Sequence, residues 1–374
     1  MGHNSRRYHR RLQETVVNGV AINLLWLRPG QVGGSETYAV RLLQALGRDP
    51  NAPSIEIFAS SATTQAHPFL ETHFTVNQHN PALGRGGRVW LENRLFADNE
   101  SAQLTHHLGG TIPKRQHDGQ CVVTIYDIQY RDYPQNFSGI KRRYLDLAVQ
   151  RTLNRADAVC VMSEFSAGSL EQHFGYPKER CKIVPPAIEA VTISKTQHNE
   201  IGGYLFYPAV TWPHKEHKFL IKVVEHFQDL DLVFVGARGP LHDDVLRTMK
   251  GSPAADRIVH LGVVDQQKLD DLYRRALCTV FPSQYEGFGQ PVIEAMARGC
   301  PVISSRGGAL PETVGTGGIT VPMDVDLWVD AVNMIRQSRE RQKWVENGLR
   351  RAADFSNDRA AATQVGVYNE LLGR

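Results

Sequence analysis

Short apolar runs that stop at a glycine or a turn and give way to helical spacing recur along this chain, in two separate series. A fully apolar strand of four to eight residues needs cover on both faces, which a parallel sheet between helices supplies. In the first series the predicted strands are 20–27 (VAINLLWL), 55–59, 121–126 (CVVTIY), 158–162 and 182–184. Helices are expected at 37–46, with Tyr38, Leu42, Ala45 and Leu46 on one face, at about 139–156, and after Ser163, a good N-cap. Residues 81–94, rich in Gly and Arg around Trp90, read as a loop with a short helix. The second series predicts strands at 204–207, 232–235, 258–261, 279–281 and 302–304. Its helices fall at about 217–227, 241–250, 265–275, 326–338, 340–353 and 357–372. Between the series, residues 194–203 (SKTQHNEIGG) are polar apart from Ile201 and read as a linker.

Two βα series joined in this way imply an α/β chain of two Rossmann-like domains facing across a cleft. The expected divisions are a basic leader at 1–18, a first domain at 19–193, the linker at 194–203, a second domain at 204–355 and a closing helix at 356–374. In such sheets ligands bind outside the carboxyl ends of the strands. Gly33-Gly34, Gly236 and the Gly287–Gly289 turn all fall at such ends.

Composition narrows the classes. A chain of 374 residues with 41% hydrophobic and 22% charged content suits a globular protein of two ordinary domains. A formal charge of +3 without aromatic-basic interleaving does not argue for nucleic acid. The five cysteines are scattered, with no CxxC pair, and read as small buried residues in a reducing compartment. No apolar run approaches the roughly 20 residues that span a bilayer. The first residues are basic without an apolar core, unlike a secretory signal, and Arg6 breaks the myristoylation pattern after Gly2. The expected location is cytoplasmic. Basic residues on the 139–156 helix, and Arg85 with Arg88, read first as solvated faces and second as a peripheral contact with anionic membrane at its inner face.

The most chemically loaded stretch is 281–294, FPSQYEGFGQPVIE, which sets Glu286 and Glu294 eight positions apart across Gly-Phe-Gly and a proline. Pro291 suits the first position of a helix and Gly299 its end. Gly287 and Gly289 let backbone N–H groups approach a ligand closely. A helix N-terminus attracts phosphate, while carboxylates accept hydrogen bonds from sugar hydroxyls. The pair suits a ligand that is part phosphate and part polyol. On an otherwise apolar helix, Glu294 needs a partner or a cleft, and a cleft is the favoured reading.

This stretch, followed by ARGCPVISSRGGALPETVG, resembles the retaining glycosyltransferases of family 4, which have the GT-B fold. GGSETYAVRLLQAL, VVTIYDIQY, RADAVCVMSEFSAGSL, KIVPPAI and WPHKEHKFLI follow in the family's order and spacing. The resemblance implies an N-terminal acceptor domain, a C-terminal nucleotide-sugar donor domain, and a last helix that packs back on the first domain. It implies that Glu294 holds the ribose hydroxyls, that Glu286 contacts the donor sugar, and that Lys215 neutralises the diphosphate. Backbone amides of Gly287, Phe288, Gly289 and Gln290 would serve the sugar and diphosphate. Gly33 and Gly34 would close from the other domain, and Val264 would meet the base. Asp127, at a strand end, joins Lys215 and Glu286 as a catalytic candidate, and Ser163 is a further site candidate.

Two positions depart from the family pattern. The arginine expected five or six positions before Lys215 is absent, with Val210 and Ala209 in its place; Arg238 or His214 could substitute. Tyr126 stands where many members have histidine. The fold implies no cofactor and no obligatory metal, and the Asp-x-Asp triplets at Asp229/Asp231 and Asp324/Asp326 are read as decoys. The expected activity is hexosyl transfer from GDP-mannose or a UDP-sugar to a saccharide or lipid-linked saccharide, in cell-surface polysaccharide synthesis. The mannosyl preference follows the PAVTWPHKEH segment. UDP-glucose-dependent glucosyl transfer is the nearest rival; a sugar-nucleotide epimerase and a non-catalytic binding module come after it.

Overall fold

A computed structural model describes residues 17–80, 84–97, 102–116, 119–188 and 202–374. The proposed linker, apart from its last two residues, and nearly all of the basic leader lie outside the described residues, as does the Arg85 side chain. The first series begins β1 (Val17–Asn23), α1 (Gly34–Leu46), β2 (Ser54–Ala59), α2 (Ser61–Ala66), α3 (Phe69–His73), β3 (Thr75–Gln78) and α4 (Gly84–Leu95). It continues β4 (Ala102–His107), β5 (Gln120–Thr124), α5 (Gln129–Asp132), α6 (Gly139–Arg155), β6 (Ala158–Val161), α7 (Glu164–Phe174) and β7 (Cys181–Ile183). The second begins β8 (Tyr204–Pro208), α8 (His217–Val224), β9 (Asp231–Val235), α9 (His242–Gly251), β10 (Ile258–His260), α10 (Gln266–Arg275) and β11 (Cys278–Phe281). It closes α11 (Gln290–Ala297), β12 (Val302–Ser304), α12 (Leu310–Val314), β13 (Ile319–Thr320), α13 (Val325–Arg336), α14 (Ser338–Ala353) and α15 (Asn357–Leu372).

The strands form two sheets, β3-β2-β1-β4-β5-β6-β7 and β10-β9-β8-β11-β12-β13, and every pairing in them is parallel. In each, the order runs outward from the first strand and then reverses to its other side. That reversal opens a crevice at the carboxyl ends of the strands that flank it. The flanking pairs are β1 with β4 and β8 with β11.

Three differences from the expected elements have physical causes. The first strand ends at Asn23, because residues 24–27 turn: Leu25 N–H donates to the Asn23 side chain (3.0 Å) and Leu27 N–H to the Leu24 carbonyl (3.0 Å). These residues are apolar because the turn is buried. The glycine-rich 84–95 segment is a full helix of 12 residues. The central strand β4 (AQLTHH) has no apolar run to announce it.

That strand is made possible by tertiary partners. His106 is fully buried and bonds the Tyr368 hydroxyl (2.6 Å) and the Thr124 hydroxyl (2.8 Å). His107, also buried, accepts from the Asn23 amide at Nδ1 (3.1 Å) and donates from Nε2 to Gln116 Oε1 (3.0 Å). Buried polar groups are tolerated when they are paired in this way. Tyr368 comes from α15, the last helix, which packs on α1 and β4 of the first unit.

Candidate functional site

Lys215 and Glu286 meet at the reversal of the second sheet, because their loops leave the adjacent strands β8 and β11. Their side chains are ion-paired, with 16% and 12% of each exposed. The two loops are laced together around the pair. Gln284 N–H donates to the His214 carbonyl (2.8 Å), and the Gln284 side-chain amide donates to Glu216 (2.5 Å). The Tyr207 hydroxyl donates to the Lys215 carbonyl (2.7 Å). Glu216, next to the lysine, has φ 54°, the only positive φ at a non-glycine among the described residues. Such a conformation costs on the order of 1 kcal/mol or more and persists only where its surroundings enforce it.

The glycine turn brings this loop against the first unit. A Cβ on Gly287 would stand 2.6 Å from the Tyr126 carbonyl oxygen and 3.0 Å from Asp127 Cβ, so only glycine allows the approach. Its carbonyl accepts from the Ser163 hydroxyl (2.6 Å) and the Ser166 hydroxyl (3.2 Å) at the start of α7. Gly289, at φ 91°, turns the chain into α11, whose first turn contains Pro291. Phe288 packs its ring on Phe355 (5.2 Å) and its carbonyl accepts from the Thr313 hydroxyl (2.5 Å), which leaves its N–H as the part available to a ligand. Tyr285 packs edge-on against Tyr133 (5.6 Å) and Phe165 (5.5 Å), and the Tyr133 hydroxyl donates to the Gln284 carbonyl (3.0 Å).

From the first unit, Gly33 (φ 65°) precedes α1, and the Gly34 carbonyl accepts from the Gln290 side chain (3.2 Å). The two glycine loops therefore touch. Asp127 has an accessible side chain between the two units; partial desolvation by the surrounding protein raises its pKa, the Gln129 amide (3.0 Å) opposes the rise, and Glu286's charge adds to it. The Tyr126 hydroxyl is buried, meets no protein partner, and belongs to a ring lying against Tyr38 (5.4 Å) and Trp26 (5.9 Å).

The remaining candidates have other surroundings. Burial, and then Lys215's charge, pushes the His214 imidazole down to about 4, so it offers a neutral ring and no second cation. Arg238 is largely exposed and paired with Asp243 at 2.7 Å. Val264 lies in the loop after β10, just before Asp265 caps α10 by accepting from Lys268 N–H (2.7 Å). The Asp-x-Asp triplets hold structural posts: Asp229 pairs with Arg336, Asp231 opens β9, and Asp324 caps α13. Among the described residues, no group of three or more His, Cys, Asp or Glu is placed to hold a metal ion.

Glu294 lies on the inner side of α11, 12% exposed, and it has acquired a partner as well as a cleft. Arg41 of α1 reaches it from the first unit at 2.6 Å, and the Tyr273 hydroxyl approaches its other oxygen at 3.4 Å. Glu312 makes a second bridge, accepting from the Glu164 and Phe165 amides at the α7 N-terminus (2.9 and 3.1 Å). Neither Arg41 nor Glu312 was legible as a site residue, since a charge on an amphipathic helix ordinarily faces water.

Comparison with known proteins agrees with this architecture. The model of Glycosyltransferase Family 4 matches residues 32–191, and that of Glycosyl transferases group 1 matches residues 191–351. O-antigen chain mannosyltransferase B of Escherichia coli is 30% identical over 67% of this chain and 71% of its own length. O-antigen chain mannosyltransferase RfbU of Salmonella typhimurium is 27% identical over 72% of this chain and 74% of its own. The structure of sucrose-phosphate synthase from Thermosynechococcus elongatus superposes with a TM-score of 0.78 at 20% identity, covering 95% of this chain and 99% of that one. The fold is the two-sheet GT-B architecture of glycosyltransferases. The chain belongs to glycosyltransferase family 4, and is a glycosyltransferase.

Proposed function

We propose that this enzyme is a retaining hexosyltransferase that moves mannose from a nucleotide diphosphate sugar onto a saccharide or lipid-linked saccharide during cell-surface polysaccharide synthesis. The observation that carries the reading is the Lys215–Glu286 pair at the sheet reversal, beside a glycine turn at a helix N-terminus. In the loaded enzyme Lys215 neutralises the diphosphate, Glu286 accepts from the sugar hydroxyls, and Glu294 holds the ribose. The amides of residues 287–290 and the Gly33-Gly34 loop complete the donor cradle, with Val264 at the base. Mannose is favoured over the glucose rival because the two O-antigen relatives described above are mannosyltransferases.

The bond from the anomeric carbon to the leaving phosphate oxygen breaks, and the acceptor oxygen bonds to that carbon on the same face. The acceptor's proton passes to the departing phosphate. Charge that develops on the diphosphate meets a fixed cation and fixed amides, which is where preorganised electrostatics lower a barrier most. Asp127, its pKa raised by desolvation, faces the sugar from the other side of the cleft.

A peripheral membrane contact belongs to the same reading. Ile140, Tyr144 and Leu147 form one exposed stripe on α6, with 87%, 55% and 65% of each accessible. Lys141, Arg142 and Arg143 lie beside it. Apolar residues flanked by cations suit an anionic lipid surface. No helix among the described residues is long and apolar enough to cross a membrane.

A thermal-shift panel of GDP, UDP and ADP tests the donor, because a bound nucleotide raises the melting temperature by mass action. Stabilisation by GDP supports mannosyl transfer, stabilisation by UDP moves the assignment to the glucosyl rival, and no response to any nucleotide contradicts the reading. Glu294→Ala should abolish the shift.

A further inference from the structure

Arg41 and Glu294 stand on two helices that start from touching glycine loops, α1 at Gly34 and α11 at Gln290. Arg41 lies about two turns into its helix and Glu294 about one. The guanidinium crosses the cleft to place Nη1 2.6 Å from Glu294 Oε1, with 19% and 12% of the side chains exposed. The arginine nearest in sequence on its own side is engaged elsewhere. Arg298, one turn on, already donates to the Glu294 carbonyl (3.0 Å) while pairing with Asp270 (2.7 Å).

The ligand proposed for Glu294 is a ribose attached to a diphosphate. Ribose hydroxyls would donate to the same carboxylate and compete with Arg41 for Oε1, the one oxygen it now occupies. The freed cation is then within a side-chain swing of a dianion. On the other side of the cleft Lys215 is engaged with Glu286, His214 is neutral, and Arg238 is turned to Asp243. An arginine fork matches phosphate oxygens well.

We propose that Arg41 is a donor-binding residue supplied by the N-terminal unit, held on Glu294 until the ribose displaces it, and then bound to the diphosphate. This rests on the nucleotide-sugar reading above. Because Arg41 and Lys215 come from opposite units, the diphosphate would be held from both sides of the cleft.

Calorimetry with GDP, UDP and the corresponding nucleosides, at low and moderate salt, tests this on the full chain and on Arg41→Ala, Arg41→Gln and Arg41→Lys. The Gln variant keeps a polar, uncharged side chain and serves if Ala lowers the melting temperature. The expected result is at least a tenfold loss of nucleoside diphosphate affinity in the Ala and Gln variants. Nucleoside affinity should be unchanged or tighter, diphosphate binding should depend less on salt, and Lys should recover part of the loss. Unchanged or tighter diphosphate binding, or an equal loss for nucleoside and diphosphate, would overturn the proposal. A parent chain that bound neither nucleotide would overturn the donor reading beneath it.

Discussion

The Lys215 ammonium is ion-paired with the Glu286 carboxylate, joining the loops that leave β8 and β11 at the point where the strand order reverses. Each group waits on the other for its ligand. On the proposed reading the lysine meets the diphosphate and the carboxylate the sugar ring.

Lys215→Ala should depress turnover by about a hundredfold or more, since removing one donor aimed at developing charge costs on the order of 3 kcal/mol. Acceptor KM should change little. Steady-state kinetics with saturating donor check this, and near-normal turnover would end the assignment of Lys215 to the leaving group.

Gly287→Ala tests the closed cleft. Its Cβ would be driven into the Tyr126 carbonyl at 2.6 Å, which is backbone and cannot swing aside. Displacement of the two units from one another is expected to lower kcat/KM by about tenfold or more, because a misplacement of about 1 Å at a reacting centre can cost about a hundredfold. The melting temperature should be nearly unchanged. Steady-state kinetics and thermal unfolding of the variant check this, and an unchanged kcat/KM would contradict it.

The paired histidines of β4 predict a pH-dependent stability. Burial pushes His106 down to about 3, with His107's charge adding to the effect, and burial pushes His107 down to about 4. Both are neutral when folded and charge near 6.5 when unfolded, so the unfolded chain binds more protons below that pH. Their contribution is complete above pH 6.5 and falls as pH drops toward 4. By pH 5 the loss is about 2 kcal/mol for each histidine. Thermal unfolding at pH 7.5 and 5.0 measures it, and His107→Gln should flatten the slope; an unchanged slope would contradict the assignment.

If the α6 stripe meets membrane, the enzyme should co-float with vesicles containing anionic lipid and leave them as salt rises, at about 1 kcal/mol per engaged basic residue. Replacing Ile140 and Leu147 by Asp should abolish flotation while leaving donor binding intact. Equal binding to zwitterionic vesicles would contradict an electrostatic contact.

Activity should persist in EDTA, because Lys215 and backbone amides are the groups proposed to meet the diphosphate. Loss of turnover on chelation, restored by a divalent cation, would require a different account of the leaving group.

Much of this was legible locally. Alternating apolar runs and glycines announced two parallel sheets, because a strand buried on both faces must be apolar along its whole length. Pro291, Gly299 and Asp265 marked helix ends through backbone geometry and capping. What escaped was set by distant partners. β4 reads as polar because its histidines are satisfied by Tyr368, Thr124, Asn23 and Gln116, three of them well outside any local window.

The sequence by itself determined the class of fold and the glycine turn between Glu286 and Glu294, since apolar periodicity, capping and φ preference act over a few residues. Only the tertiary structure decided what those carboxylates face. Lys215 reaches Glu286 because β8 and β11 are neighbours, and Arg41 reaches Glu294 because two separate sheets close on one another. A charged side chain carries no local sign of its partner; the partner is chosen by topology, over 71 residues of chain in one case and 253 in the other.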